Sequence, residues 1–360
     1  QYEHETVHVR DASRAPGVVA ALVNESTREA LNVQNREEQA ALREAYKRSG
    51  GTPLVSIESA RERHRVVEWR AEDIARPEVL GRTMIRDVTL GALKDFIDWT
   101  PFFHVWELKG VYPGILNKAE VGPVARELFE NARVLLEEII AGDLLRPEGV
   151  YGFFPAQSEG DDIVLYEAES RDVEVARFAM PRQQALKNST VESFCLADFV
   201  APRASGLGDY LGLFAVSAGE GVTELVRRYE DAQDDYNAIM VRALADRLAE
   251  AFAEYLHQEV RALCGYADPE GITPQELIKE RYRGIRPAPG YPACPDHRDK
   301  KLLFELLGVS EATSMALTES CAVMPAASVT GFYFAHPAAR YFSLGKIARD
   351  QVTSLATRKG

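Results

Sequence analysis

The residues best suited to chemistry lie in one proline-rich segment, residues 286–295, which reads RPAPGYPACP. Its prolines exclude helix and central strand, so we expect an extended backbone whose amide and carbonyl groups are largely left free. Such groups can bind a purine ring at little entropic cost, Gly290 lets a ligand approach the backbone, and Arg286 can grip a carboxylate with paired hydrogen bonds. A rigid surface loop without a ligand explains the same prolines equally well.

Two other places carry side chains that suit ligand contacts. Residues 328–337 (SVTGFYFAHP) predict a strand and a turn, followed by a helix whose first turn presents Tyr341 and Phe342. These rings either stack on a ligand or pack in the core, which is the commoner role. Asp98 lies between Ile97 and Trp99, and a carboxylate in apolar surroundings needs a ligand ammonium or an internal arginine.

Motifs of other chemistries are missing from the sequence. The nearest approach to a nucleotide-binding glycine loop, residues 206–208 (GLG), lacks its third glycine, and GxxxxGK[ST], GxSxG and HExxH do not occur. The widely spaced cysteines, Cys195, Cys264, Cys294 and Cys321, predict reduced thiols and no structural metal site. His297 and His336 have unusual neighbours, but hydrogen bonding within the fold is the simpler role for each.

The charge balance of the chain indicates which kinds of partner it is unsuited to bind. The chain has 360 residues, with 42 Lys and Arg against 55 Asp and Glu, so its net charge is −13. This acid excess argues against nucleic acid, and no apolar run suits a membrane span. The widely spaced cysteines, as reduced thiols, predict a cytoplasmic protein. The charge is uneven, because residues 278–301 have seven basic residues against three acidic ones, whereas residues 224–261 have five against nine. We expect a basic edge at the proline-rich segment.

The elements that position these residues predict an α+β fold with a central twisted antiparallel sheet flanked by helices, in a single large domain. Strand-like runs follow one another without long helices between them, which is typical of antiparallel pairing. The expected strands are residues 150–154, 163–166, 173–178, 194–200, 211–216 and 328–334. The expected helices are residues 15–31, 36–48, 123–140, one long helix over 222–263, 300–307 and 337–352, with a breaker at 49–53 (SGGTP).

Several of these segments resemble the C-terminal activation domain of cobalamin-dependent methionine synthases, a module that binds S-adenosylmethionine. The similar stretches are residues 98–103 (DWTPFF), 195–202 (CLADFVAP), 234–253 (DDYNAIMVRALADRLAEAFA), 284–297 (GIRPAPGYPACPDH) and 331–350 (GFYFAHPAARYFSLGKIARD). Residues 7–20 (VHVRDASRAPGVVA) also resemble the end of the preceding cobalamin-binding module. The resemblance therefore implies a lead-in and linker over residues 1–50 and the activation domain over residues 51–360.

The family's RxxxGYP motif corresponds to Arg286, Gly290, Tyr291 and Pro292. The resemblance implies that Arg286 binds the methionyl carboxylate and that the backbone from Ala288 to Tyr291 holds the adenine. It also implies acidic contacts from Asp98, to the ammonium group, and from Glu250. Acids at four-residue steps, Asp246, Glu250 and Glu254, describe a solvated helix face equally well.

Tyr341 and Phe342 occupy positions where the family commonly has two tyrosines. Phe342 departs from that pattern and has no hydroxyl with which to form a hydrogen bond. The cobalamin motif DxHxxG does not occur, so we expect cobalamin to be held by the adjacent module rather than by this chain alone.

The resemblance implies a methyltransferase module of methionine biosynthesis. Its ligand donates a methyl group to reduced cobalamin and so restores inactive cob(II)alamin to methylcobalamin. Its partners would be the cobalamin module of the same polypeptide and a flavoprotein electron donor, either flavodoxin-like or a diflavin reductase. Such chemistry needs positioning and desolvation but no acid–base residue, so we expect none. The alternative is a docking module for a cobalamin domain or flavoprotein that lacks useful S-adenosylmethionine binding.

Overall fold

One long strand organises the sheet at the centre of the larger part of the chain. The strands are β1 (Gly81–Ile85), β2 (Arg146–Glu159), β3 (Asp162–Tyr166), β4 (Glu174–Ala179), β5 (Asp209–Glu220), β6 (Ala316–Leu317), β7 (Val323–Met324) and β8 (Ser328–Tyr333). The sheet has the order β4-β3-β2-β5-β8, β1 also pairs with β2, and β6 pairs with β7 separately. Every strand pair is antiparallel, which confirms the predicted sheet.

The computed structural model describes residues 6–9, 15–48, 53–185 and 192–360. It divides into two units, one formed by the described residues up to Leu54 and one by Val55–Ala185 with the described residues from 192 onward. Most of the predicted linker at 49–53 lies outside the described residues. The boundary between lead-in and activation domain remains a prediction.

The smaller unit contains α1 (Ala15–Val23) and α2 (Glu25–Arg48). In the larger unit, helices cover both faces of the sheet. They are α3 (Ile57–Glu62), α4 (Leu90–Leu93), α5 (Thr100–Val105), α6 (Gly122–Ala141), α7 (Val222–Asp231), α8 (Asp235–Leu263), α9 (Pro274–Ile278), α10 (Asp299–Leu307), α11 (Val309–Ala312) and α12 (Arg349–Lys359). Alternate residues of β5 point to opposite faces. Phe214 joins the core that contains α8, whereas Leu213 joins the core that contains α10. The α+β class is confirmed.

The helices predicted over 15–31 and 36–48 are instead α1 and α2, which divide at Asn24 and not at residues 32–35. Three further local expectations fail for identifiable reasons. The long helix predicted over 222–263 is interrupted, because Gln233 adopts φ +58° and the Asp234 carboxylate caps the new helix at the Asn237 N–H. The strand predicted at 194–200 is instead a 3₁₀ turn, Leu196–Phe199, with Asp198 accepting from the Cys195 N–H. The terminal helix begins only at Arg349, so the segment between β8 and α12 is irregular.

Candidate functional site

The proline-rich segment borders a cavity of about 470 Å³. The lining residues come from that segment, from α8, from β5 and β8, and from the irregular segment after β8. They are Phe214, Glu250, Glu280, Arg286, Pro287, Ala288, Tyr291, Pro292, Ala293, Val329, Tyr341, Phe342 and Ser343. Most of the residues predicted from the sequence thus meet in one place: Glu250, Arg286, Ala288, Tyr291, Tyr341 and Phe342.

The start of the proline-rich segment runs beside β8 almost as a further strand. Ile285 and Phe334 exchange backbone hydrogen bonds of 2.9 and 3.0 Å, and the Phe332 N–H donates to the Pro287 carbonyl at 2.9 Å. A Cβ at Gly331 would lie 2.7 Å from the Pro287 carbonyl oxygen, so the close approach requires glycine there. The expectation of a largely unpaired backbone is therefore wrong for this half of the segment.

The second half of the segment is a tight turn. The Gly290 N–H donates to the Cys294 carbonyl at 2.8 Å, and the Tyr291 N–H donates to the Ala288 carbonyl at 3.0 Å. Gly290 adopts φ +101°, and a Cβ there would lie 2.4 Å from the His297 ring, which explains the glycine without reference to a ligand. Within the described residues, the Ala288 N–H and the Pro289 and Gly290 carbonyls have no hydrogen-bond partner.

Arg286 lies at the inner wall of the cavity and is held from several sides. Its Nη2 lies 2.9 Å from Glu254 Oε2, and its Nη1 donates to the Tyr282 hydroxyl at 3.0 Å. Its backbone N–H donates to the Tyr341 hydroxyl at 3.0 Å. Burial opposes the charge on Arg286, but the surrounding negative groups, of which the Glu254 carboxylate contributes most, together outweigh burial and raise the pKa of the guanidinium above its usual range.

Glu254 is the main site residue that sequence reasoning missed. Along α8, Asp246 is exposed, Glu250 is half-buried, and Glu254 is only 4% exposed. A fully solvated acidic face is therefore the wrong interpretation of this spacing. The four-residue step to Glu254 was visible, but no local pattern pairs it with an arginine 32 positions further along the chain. Glu280 and Tyr282 were missed for the same reason.

Tyr341 and Phe342 reach the cavity from the irregular segment, not from a helix. The Leu344 N–H donates to the Pro292 carbonyl at 2.8 Å, which fastens this segment to the turn. Phe342 stacks on Phe194 with ring centroids 5.7 Å apart. The Phe342 ring thus lines the cavity and also packs against Phe194.

Asp98 lies elsewhere, in the lining of a second cavity of about 640 Å³ that includes Trp99, Tyr112 and Phe129. Its Oδ1 accepts a hydrogen bond of 2.9 Å from the Thr100 N–H, so its partner here is a backbone donor at the start of α5. The structure does not bring Asp98 into the cavity of Arg286. Its contact with a ligand remains a prediction.

The expected basic edge is weaker than the sequence suggests. Lys300 is buried, Arg283 donates to the backbone carbonyls of Asp73 and Ala335, and Arg286 is paired with Glu254. The exposed basic residues of this stretch are Lys279, Arg281, Arg298 and Lys301. Three of the seven basic residues in this stretch, Lys300, Arg283 and Arg286, are therefore buried or held by contacts within the fold.

Other site types find little support in the part of the chain that is described. The four cysteines are free thiols and all are buried. Among the described residues, no group of three or more His, Cys, Asp or Glu side chains is arranged to hold a metal ion. No described helix combines the length and apolarity that crossing a membrane requires.

Comparison with known proteins gives a consistent assignment. Residues 89–360 match the family model described as the activation domain of vitamin B12-dependent methionine synthase. Among solved structures, the chain is similar to a crystal structure of the MetH reactivation domain bound to AdoHcy. That similarity has a TM-score of 0.81 and 48% sequence identity, and it covers 86% of this chain and 94% of the other.

Proposed function

This chain belongs to the family of vitamin B12-dependent methionine synthase activation domains, and on that premise we propose that its cavity binds S-adenosylmethionine for the remethylation of reduced cobalamin. The observation that carries the proposal is the placement of the half-buried Arg286 beside the free backbone groups of residues 288–290. The similar reactivation domain binds AdoHcy, which differs from S-adenosylmethionine by the methyl group on sulfur.

The cavity offers a suitable group for each part of this ligand. Arg286 donates to the Tyr282 hydroxyl from Nη1 and forms an ion pair with Glu254 through Nη2, and its remaining N–H groups can bind the methionyl carboxylate. The free Ala288 N–H and the Pro289 carbonyl suit the edge of an adenine. Glu250 and Glu280 add negative charge toward the ammonium and sulfonium groups.

The protein's own contribution is to position the ligand and exclude water. When bound, S-adenosylmethionine supplies a methyl group on a positively charged sulfur, a good leaving group for attack by reduced cobalt. Phe214, Val329 and Phe342 give the cavity an apolar wall that removes water from the bound ligand. No side chain is required as an acid or base, so the module acts through orientation.

Calorimetry on the whole chain tests the ligand and the site together. We expect S-adenosylmethionine and S-adenosylhomocysteine to bind, and Arg286→Ala to weaken both by about tenfold or more, because a charge-assisted bond to carboxylate is lost. Arg281→Ala is the matched control, since Arg281 is exposed and does not line the cavity.

Undiminished binding by Arg286→Ala would refute the site. A wild-type chain that binds a cobalamin module but neither adenosyl ligand would instead support the alternative of a docking module.

We further propose that the domain acts on cobalamin held by another module of the same polypeptide, with a flavoprotein as electron donor. The exposed Lys279, Arg281, Arg298 and Lys301 would attract an acidic flavoprotein, so its affinity should fall as salt rises. An affinity that does not change with ionic strength would remove the electrostatic part of this proposal. We also place the lead-in at residues 1–50 and retain Asp98 and Gly290 as predicted ligand-side residues.

A further inference from the structure

The Arg286 guanidinium is held in the cavity wall by contacts with Glu254 and Tyr282. We propose that Glu254 and Tyr282 are positioning residues that hold the Arg286 guanidinium in place, so that the cavity selects ligands bearing a carboxylate. This inference rests on the proposed function and extends it to residues that do not touch the ligand. Neither Glu254 nor Tyr282 lines the cavity.

The contacts fix the guanidinium at both of its ends. Nη2 lies 2.9 Å from Glu254 Oε2, and Nη1 donates to the Tyr282 hydroxyl at 3.0 Å. Because the guanidinium is planar, fixing both terminal nitrogens also fixes the direction of the N–H groups that remain for a ligand. A long arginine side chain otherwise loses rotamer freedom when a ligand binds, and prior orientation removes that cost.

Tyr282 is itself held rigidly. The Arg261 guanidinium lies over its ring at 4.1 Å, and the His257 ring meets it edge-on with centroids 4.9 Å apart. Arg261 is in turn fixed by Asp268, with Nε donating to Oδ1 at 2.7 Å. The hydroxyl that receives Arg286 therefore belongs to a packed cluster, not to a mobile side chain.

A structural ion pair alone does not explain the arrangement at Glu254. Oε1 of Glu254 is buried and has no hydrogen-bond partner, so this carboxylate is only partly compensated. Leaving a buried polar atom unpartnered costs stability. In an ion pair that served only the fold, both carboxylate oxygens would be expected to have partners. Here Glu254 Oε1 has none, and Glu254 contacts Arg286, which lines the cavity.

The test compares a ligand that carries the amino-acid portion, with its carboxylate, and a ligand that lacks this portion. S-adenosylhomocysteine carries the amino-acid carboxylate, and 5′-methylthioadenosine keeps the adenosine and the thioether without the amino-acid portion. For Glu254→Gln we expect S-adenosylhomocysteine to bind about tenfold more weakly and 5′-methylthioadenosine to be unchanged within about twofold. Tyr282→Phe removes only a hydroxyl acceptor and should show the same selectivity at about threefold.

Glu259→Gln is the matched control, because Glu259 is an exposed residue of the same helix, and it should change neither affinity. Equal weakening of both ligands would show a merely structural role and overturn the inference, as would unchanged or tighter binding of S-adenosylhomocysteine. If Glu254→Gln does not fold, Tyr282→Phe decides by the same ratio. A wild-type chain that binds neither ligand refutes the proposed function itself, which is a distinguishable result.

Discussion

Arg182 is buried and Arg286 is half-buried, and both face carboxylates, yet one lies in a closed cluster and the other in an open one. Arg182 is 2% exposed; its Nε donates to Asp161 at 2.7 Å, and its terminal nitrogens donate to Asp198 and to the Ser193 carbonyl. Among the described residues, neither Arg182 nor its carboxylate partners keep a buried polar atom without a partner. Arg286 has fewer contacts, and its partner Glu254 has one such atom.

The difference separates a charge cluster whose groups are all used by the fold from one that leaves donors available at a cavity wall, where we propose that a ligand binds. The cluster around Arg182 joins the end of β4, the turn before β5 and α12, since Gln351 of α12 accepts from the Arg182 N–H and donates to the Arg182 carbonyl. Every donor there has a protein partner, so a ligand has nothing to add. The cluster around Arg286 leaves donors available at a cavity wall.

The largest expected effect is on the closed cluster. Arg182→Met leaves Asp161 and Asp198 buried beside an apolar side chain, which should lower the free energy of unfolding by about 3–5 kcal/mol. Urea denaturation measures this loss. S-adenosylhomocysteine affinity per folded molecule should stay unchanged, because Arg182 does not line the cavity.

Arg203→Met is the control for that substitution. Arg203 pairs with Glu159 at 2.7 Å, but its side chain is 64% exposed, so the loss should be below about 1 kcal/mol. If Arg182→Met weakened ligand binding as strongly as Arg286→Ala does, the proposed separation of the two clusters would be wrong.

Asp161 in the closed cluster and Glu254 in the open cluster should respond to pH with opposite signs, whereas the pKa of Asp198 shifts in the same direction as that of Glu254. Burial raises the pKa of Asp161, but the Arg182 and Arg61 guanidiniums outweigh it and the pKa is lowered; Asp198 has no second arginine, and burial raises its pKa. Burial likewise raises the pKa of Glu254, with Arg286 opposing it only in part. Folding therefore favours the charged form of Asp161 and the protonated form of Glu254, each relative to the unfolded chain.

For Asp161, the stabilising contribution is present above its unfolded pKa of about 3.9 and is lost as the pH falls through the lower native value. For Glu254, the contribution is present below about 4.3 and is lost as the pH rises through the raised native value. Urea denaturation across pH 3–8 should thus show less loss at the acid end for Asp161→Asn than for wild type. Glu254→Gln should show less loss toward neutral pH, and identical pH profiles for both variants would contradict the comparison.

A smaller effect is expected where Arg286 meets the irregular segment. The Tyr341 hydroxyl accepts the Arg286 backbone N–H at 3.0 Å, and Tyr341→Phe removes this single neutral hydrogen bond. We expect S-adenosylhomocysteine to bind about threefold more weakly, since such a bond contributes about 1 kcal/mol or less when water can replace it. Calorimetry at constant salt measures this, and a loss as large as that of Arg286→Ala would mean that the backbone, not the guanidinium, orients the site.

The sequence predicted which segment borders the cavity better than it predicted the contacts that hold that segment. Four prolines in ten residues and the family motif identify the segment at Arg286 without any structure. The pairing of Ile285 with Phe334, and of Arg286 with Glu254, joins residues far apart in the chain, so no local periodicity reports either contact. These contacts became visible only once β8 and α8 were placed.

The helices and strands predicted from the sequence also fail where contacts between distant residues decide the local structure. The apolar run at 194–200 suits a strand, but the carboxylate of Asp198 bonds to the Cys195 N–H and to Arg182, which curls the chain into a turn. The segment after β8 suits a helix by composition, yet Gly345 adopts φ +70° and the Leu344 N–H is committed to Pro292. Tertiary hydrogen bonds override local preference at both places.

Phe342 provides the smallest expected effect and the finest test of the open cluster. Its ring lines the cavity and stacks on Phe194, so Phe342→Tyr keeps the packing and adds only a hydroxyl. Because the site already orients Arg286 through Glu254, Tyr282 and Tyr341, we expect S-adenosylhomocysteine affinity to rise by no more than about threefold. Calorimetry beside Tyr341→Phe and the double variant shows whether the two effects add. A gain of about tenfold or more would mean that Arg286 is not the main determinant of affinity. The side chains at positions 341 and 342 would then contribute as much to binding as the Arg286 guanidinium.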